Sequence, residues 1–313
     1  MTQIQVQAPG WSTTVQDLGR EGFGPMGVSA SGGADPIALR LGNRLVGNAD
    51  GMGALEMTLL GGTFLFPQGA VVAMAGSDFG ATLDGAPTEL WTSAKVSAGQ
   101  TLRLGHTRSG ARCYLCVHGG IAVEPFLDSA STHILSGLGG FDGRALRKGD
   151  VLNIGPATRP FQKRKLAQWT REALVPRKTL RVTPGPQADW FQESSRQAFY
   201  TGTYRVAEES NRMGLRLEGA PVAAGQRGEM ITEGVSLGAI QVPEGGLPII
   251  LSVEQQTTGG YPKIANVIAA DLASVGQLRP RDEIRFELVG WDEARRLLRE
   301  QEELLAAKDL ILG

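Results

Sequence analysis

Cysteine and histidine are scarce in this chain of 313 residues, with two of the first and three of the second. The cysteines, Cys113 and Cys116, have C-x-x-C spacing. However, Arg112-Cys113-Tyr114-Leu115-Cys116-Val117 reads as the middle of a strand, where residues three apart face opposite sides. Their sulfurs then diverge, which argues against a redox pair or a zinc site. His106, His118 and His133 show no metal-ligand spacing, so no metal is expected. His118, at a strand end before Gly119-Gly120, is read as a ring satisfied by a backbone carbonyl, with a general base as the alternative.

Charge of one sign is missing too. Lys and Arg number 31 against 32 Asp and Glu, so no summed field favours nucleic acid or anionic lipid, and a small-molecule or protein partner is expected. No apolar run approaches the roughly 18 residues that cross a bilayer. Met1-Thr2-Gln3-Ile4-Gln5-Val6 has no basic region followed by an apolar core, so a cytoplasmic location is expected. There is no G-x-x-x-x-G-K-[ST] phosphate loop and no G-x-S-x-G elbow, and the loop Gly137-Leu138-Gly139-Gly140-Phe141-Asp142-Gly143 misses the dinucleotide fingerprint at its last position.

What the chain has in plenty is glycine, 43 residues, with 16 prolines; this punctuation suits short strands. Strand-like runs recur at 4–7, 63–66, 70–75, 89–92, 101–104, 113–118 and 151–154, at the spacing of barrels and sandwiches. Asp35-Pro36 opens a helix with Ile37, Leu41 and Leu45 on one stripe and Gly47 as its stop. A second helix spans 292–308, with Ala294, Leu297, Leu298, Leu304 and Leu305 on its apolar face. One phrase occurs three times, at 98–104, 148–154 and 280–286: a turn, a polar residue, then an alternating strand. Residues 161–178, bordered by Pro160 and Pro176, read as a connector between a domain at 1–160 and another at 179–313.

Three stretches concentrate polar chemistry. Glu254-Gln255-Gln256-Thr257-Thr258-Gly259-Gly260-Tyr261-Pro262-Lys263 follows the apolar run 247–253, and its glycines let a ligand approach the backbone. In 11–22, Gln16, Asp17 and Arg20 crowd between glycines, either as an ion-paired turn or as a grip on an acidic ligand. Near 210–219 a strand would put Arg212, Arg216 and Glu218 on one face, either as an anion-accepting surface or as a pair with one exposed arginine.

Taken together, several phrases resemble the biotin-dependent carboxyltransferase-like, or allophanate hydrolase subunit 2, family. They are Thr13-Thr14-Val15-Gln16-Asp17-Leu18-Gly19-Arg20 with Gly22 and Gly27-Val28; Asn43 to Asn48; Val117-His118-Gly119-Gly120-Ile121; and Gly137 to Gly140 with Gly143-Arg144. Later come Gly185-Pro186-Gln187, Arg212-Met213-Gly214 with Arg216-Leu217 and Gly219, Gly238 to Pro243, and Gln256 to Pro262. The chain departs from the family at Ser31-Gly32-Gly33-Ala34-Asp35, at Ala130 where an arginine is usual, and at Pro280-Arg281-Asp282 where Pro-Gly-Asp is usual.

The resemblance implies a mainly β fold of tandem cyclophilin-like β-barrels with a few short helices and a C-terminal helix. It implies one component of an ATP-dependent 5-oxoprolinase, active only in a complex, that opens 5-oxoproline to glutamate. The partners implied are an allophanate hydrolase subunit 1-like protein, which is the B subunit of 5-oxoprolinase, and the A subunit of the same enzyme. ATP with Mg2+ would be bound by the complex, and this chain carries no biotin. Arg20 and Arg212 would hold anionic groups beside Asp17; Gln16, Gln241 and Gln256 would orient the amide; Thr258, Tyr261 and Lys263 would act near the reacting carbonyl. The family's alternatives are a urea carboxylase or allophanate hydrolase-type component and a non-catalytic regulator of a kinase-inhibitor-like partner.

Overall fold

Local signals fix the first helix. Proline supplies a preset φ at its first position, and the Asp35 carboxylate accepts the Ala38 N–H at 2.9 Å, so the helix runs over Pro36–Leu45 and Gly47 leaves it at φ 81°. The computed structural model describes residues 2–157, 160–223 and 230–313. The chain forms two compact units, one of Met1–Arg20, Ser31–Val175 and Lys308–Gly313, the other of Glu21–Ala30 and Pro176–Ala307.

The first unit is built from two antiparallel sheets. One is seven-stranded and runs Ile121–Ala122, Val151–Ile154, Gln3–Ala8, Thr63–Phe66, Gln100–Arg103, Thr82–Leu83, Ala86–Pro87. The other is five-stranded and runs Ser12–Gln16, Ala54–Thr58, Arg112–Val117, Ala70–Gly76, Ser93–Val96. Ile4, Phe64 and Leu102 of the first sheet share one core with Val15, Leu55 and Leu115 of the second. Alternation along Arg112–Val117 sends Cys113 into that core and Cys116 into another, where it packs against the helix residues Leu39 and Leu45. Both thiols are free and buried, and burial pushes both pKa values up.

The second unit is a closed seven-stranded barrel in the order Thr179–Pro184, Lys263–Val267, Ala239–Gln241, Ile249–Leu251, Gly214–Glu218, Tyr204–Val206, Glu283–Leu288. A parallel pairing of Thr179–Val182 with Arg285–Leu288 closes it. Phe199, from the helix Glu193–Thr201, stacks on Phe286 with ring centroids 4.5 Å apart. The C-terminal helix, expected over 292–308, spans Trp291–Ala306, and Gln301 ties it to the Ala270 carbonyl at 2.9 Å.

The thrice-repeated phrase is one turn used three times. Gly99, Gly149 and Arg281 all have positive φ, at 82°, 92° and 71°. In each case the next side chain accepts the backbone N–H two residues before the left-handed position: Gln100 from Ser97 at 2.8 Å, Asp150 from Arg147 at 2.7 Å, Asp282 from Arg279 at 2.9 Å. Each left-handed residue donates its own N–H to a neighbouring strand, to the carbonyls of Phe66, Val6 and Val206. Two of these turns stand in the first unit and one in the second.

Some local expectations change. The run at 89–92 is not a strand, because Trp91 sits at φ 61° and breaks the extension; only Thr92 makes a bridge, to Lys165. The polar run Ser12–Gln16, read as part of a turn, is a strand whose inward hydroxyls are hydrogen-bonded. The 161–178 segment holds the strand Lys165–Leu166 and the helix Gln168–Ala173, and the strand pairs with Ile311–Leu312 near the chain's end.

Candidate functional site

The polar stretch after the strand Ile249–Leu251 is organised by a β-bulge. Ile240 pairs with Ala265 and Gln241 with Lys263, so Ile264 has no partner across the ladder and the register shifts between Ile240 and Gln241. A bulge re-aims side chains. Here Gln241 and Lys263 become cross-strand neighbours, and both are buried, at 2% and 3% exposure. The Thr258–Gly259 strand pairs with Glu233–Gly234 as a separate two-residue ribbon.

Gly259 gathers the amides. A Cβ at this position would lie 2.5 Å from Gln241 Nε2 and 2.7 Å from Gln256 Nε2, so only glycine lets both side chains close over the backbone. Gln241 Nε2 has no hydrogen-bond partner among the described residues. Lys263 Nζ lies 2.5 Å from Glu233 Oε1 without making a well-directed hydrogen bond. Glu233 Oε1 also accepts from Gln187 Nε2 at 2.8 Å. The Lys263 ammonium, and then the Gln187 amide, hold the Glu233 carboxyl below its ordinary value.

Arg212 is paired with Glu254, the first residue of the polar stretch. The chain turns at Asn211, whose side chain accepts the Met213 N–H at 2.8 Å, and the strand begins only at Gly214. Arg212 therefore does not share a strand face with Arg216 and Glu218, both of which are exposed, and the anion-accepting face expected there does not form. Its Nε instead meets Glu254 Oε1 at 2.5 Å with both residues buried, and its carbonyl accepts the Glu254 N–H at 2.8 Å. Glu218 pairs with Arg205.

The residues expected to act together thus fall into two groups. In the second unit Gln241 and Gln256 meet at Gly259, Lys263 is the cross-strand neighbour of Gln241, Thr258 precedes Gly259 in its ribbon, and Tyr261, 46% exposed, stands two residues before the lysine. Gln16, Asp17 and Arg20 lie in the first unit as a buried knot. Asp17 accepts from Gly19 N, Ala130 N, Ser129 Oγ and Ser131 Oγ at 2.5–2.7 Å. Arg20 donates to the carbonyls of Phe126 and Ser131 and stacks over the Phe126 ring at 5.4 Å. Gln16 Nε2 donates to Thr14 Oγ1 and the Thr132 carbonyl, which leaves Oε1 without a partner among the described residues. The knot secures the 126–132 segment.

Glu233 and Gln187 join the site unannounced by the sequence. Gln187 is legible only as part of Gly185-Pro186-Gln187, and a two-residue strand such as Glu233–Gly234 has no periodicity to read. His118 is satisfied as expected, with Nδ1 2.6 Å from the Val46 carbonyl. Among the described residues no group of three or more His, Cys, Asp or Glu could hold a metal ion, and no helix is long and apolar enough to cross a membrane.

Known proteins share this architecture. The chain is 37% identical over 290 residues to the C subunit of 5-oxoprolinase from Haemophilus influenzae, covering 92% of each protein. It is 38% identical over 301 residues to the C subunit of 5-oxoprolinase from Escherichia coli, covering 96% of this chain and 95% of that one. The crystal structure of the K. lactis urea amidolyase superposes with a TM-score of 0.91 at 32% identity over 99% of this chain, which spans only 21% of that much longer protein. The carboxyltransferase domain, subdomain A and B, model matches residues 26–288, and the chain belongs to that family.

Proposed function

We propose that this chain is one component of an ATP-dependent 5-oxoprolinase that opens 5-oxoproline to glutamate in the cytoplasm, together with two partners, a B subunit of the allophanate hydrolase subunit 1 type and an A subunit. The observation that carries the reading is the end-to-end match: this chain spans 92% and 95% of two 5-oxoprolinase C subunits, but about a fifth of a urea amidolyase. The second unit's cluster suits a lactam. Gln241 and Gln256 present amide N–H groups that orient a carbonyl oxygen, and Lys263, the cross-strand neighbour of Gln241, supplies a buried positive charge to an anionic group of the same ligand. Thr258 and Tyr261 are the exposed hydroxyls of the same stretch. Arg212 positions Glu254 and the residues after it, while Gln16, Asp17 and Arg20 act as scaffold in the first unit.

A lactam carbonyl is a poor electrophile, and phosphorylation of its oxygen by ATP makes attack by water feasible. The sequence has no phosphate loop, and among the described residues no group of three or more His, Cys, Asp or Glu gathers. The nucleotide is therefore assigned to the partner proteins, and the role given to this chain is to bind and orient the amide.

The likeness to the K. lactis urea amidolyase favours one second reading, a urea-processing carboxyltransferase working with a separate biotin-bearing chain. ATP hydrolysis by the complex copurified with its partners separates the two. Stimulation by 5-oxoproline, and not by urea or allophanate, is the expected result; stimulation by urea alone would overturn the first reading.

A further inference from the structure

Lys263 is a buried cation with an unusual counter-ion. An ammonium taken out of water requires an anion and directed acceptors to offset its desolvation. Lys263 has the first in Glu233, but no well-directed acceptor among the described residues. The anion itself is peripheral: the Glu233 side chain is 44% exposed, on a strand of two residues whose pairing is to Thr258–Gly259. The donors are the fixed part. Gln187 Oε1 accepts the Lys263 N–H at 3.2 Å and the Gln187 N–H reaches the Lys263 carbonyl at 3.3 Å, which locks the two residues together and turns Gln187 Nε2 toward the carboxylate. Gln187 is itself buried.

Such asymmetry, with rigid buried donors and a peripheral acceptor that water can also solvate, is that of a receptor filled by a stand-in. We propose that Lys263 Nζ and Gln187 Nε2 form a carboxylate-binding subsite, that Glu233 occupies it in the resting chain, and that a small ligand's carboxylate displaces Glu233. The neighbouring amide donors, Gln241 Nε2 without a partner and Gln256 Nε2 beside it at Gly259, then face the same ligand, which selects a molecule carrying a carboxylate next to an amide carbonyl. The carboxylate half rests on this geometry alone; the lactam half rests on the 5-oxoprolinase reading. Glu233 becomes a specificity element, since a neutral lactam gains nothing by removing it.

The test is calorimetric titration of the full chain with three probes: 5-oxoproline, 2-pyrrolidinone, which lacks the carboxylate, and cyclopentanecarboxylate, which lacks the amide. Glu233→Gln removes the competing charge and is expected to tighten both carboxylates about tenfold, leaving 2-pyrrolidinone unchanged. Lys263→Met, and Gln187→Leu as a second variant should the first fold poorly, are expected to weaken both carboxylates about tenfold or more. Unchanged carboxylate affinity in Glu233→Gln, or carboxylate binding by Lys263→Met equal to the parent chain, overturns the subsite. If 5-oxoproline and cyclopentanecarboxylate bind alike and respond alike to these changes, the subsite stands and the lactam reading falls.

Discussion

Replacing Arg212 by alanine strands a carboxylate. Glu254 is 2% exposed and Arg212 8%, with Nε and Oε1 2.5 Å apart, so neither charge is solvated. Removing one member of such a pair costs about 3–5 kcal/mol, because the other stays buried without its counter-ion, whereas exchanging both for apolar residues of similar volume is near neutral. In urea denaturation followed by circular dichroism, Arg212→Ala is therefore expected to lose about 3–5 kcal/mol and Arg212→Met/Glu254→Met less than about 2 kcal/mol. The same variants decide what the arginine does. If Arg212 only anchors the stretch that begins at Glu254, the double variant keeps turnover in the reconstituted complex; if its guanidinium grips an anionic ligand, turnover vanishes in both. A loss under about 1 kcal/mol in Arg212→Ala, with the second substitution simply adding to it, would refute the argument from a buried, mutually dependent pair.

Two further outcomes follow from glycine positions. Gly259→Ala places a methyl against Gln241 Nε2 and Gln256 Nε2 and is expected to depress kcat about tenfold or more while the melting temperature moves little, because the displaced atoms are the ends of flexible side chains. Unchanged kcat would remove both amides from the reaction. In the repeated turn, Arg281→Gly relieves a left-handed arginine whose ion pair with Glu208 is largely exposed, and is expected to stabilise by about 0.5–1 kcal/mol in thermal unfolding; Gly149→Ala, whose methyl meets nothing within 4 Å, should cost about 1 kcal/mol through φ alone. Equal and opposite shifts to these would mean that the φ argument has the wrong sign.

The contrast between those turns and the ribbon at Glu233 explains what the sequence could disclose. A turn and a helix start are written in adjacent residues: Asp35-Pro36 names its own cap, and the three turns repeat a polar side chain at the same offset. The apolar run at 247–253 likewise marks a buried strand, although Pro248 lies outside its paired part, Ile249–Leu251. Long-range pairings leave no such record. Arg212 reads as part of a strand because an alternating pattern carries back past Gly214, while the Asn211 side chain turns the backbone three residues before that glycine. Ser12–Gln16 looks like a wet turn because its residues are polar, yet Thr13, Thr14 and Gln16 are buried and their side chains find partners as distant as Thr132. Glu233 enters the site only through register with Gly259, and its partner Lys263 is legible as a lysine but not as a buried one.

Buried polar groups are satisfied differently in the two clusters. In the first unit the Asp17 carboxylate meets four donors. In the second, Gln241 Nε2 has no hydrogen-bond partner among the described residues, and Lys263 Nζ is ion-paired with the partly exposed Glu233. A carbonyl or carboxylate oxygen can accept from either of these two donors. A buried donor left unmatched costs about 1–3 kcal/mol, and a ligand oxygen that supplies the missing acceptor recovers that free energy on binding. The bulge sets Gln241 opposite Lys263, Gly259 admits the Gln241 and Gln256 amides, and Glu233 pairs with the ammonium. The proposed recognition of an amide-bearing ligand therefore rests on two donors of the second barrel: a buried Gln241 Nε2 with no partner among the described residues, and a Lys263 ammonium whose counter-ion is partly exposed.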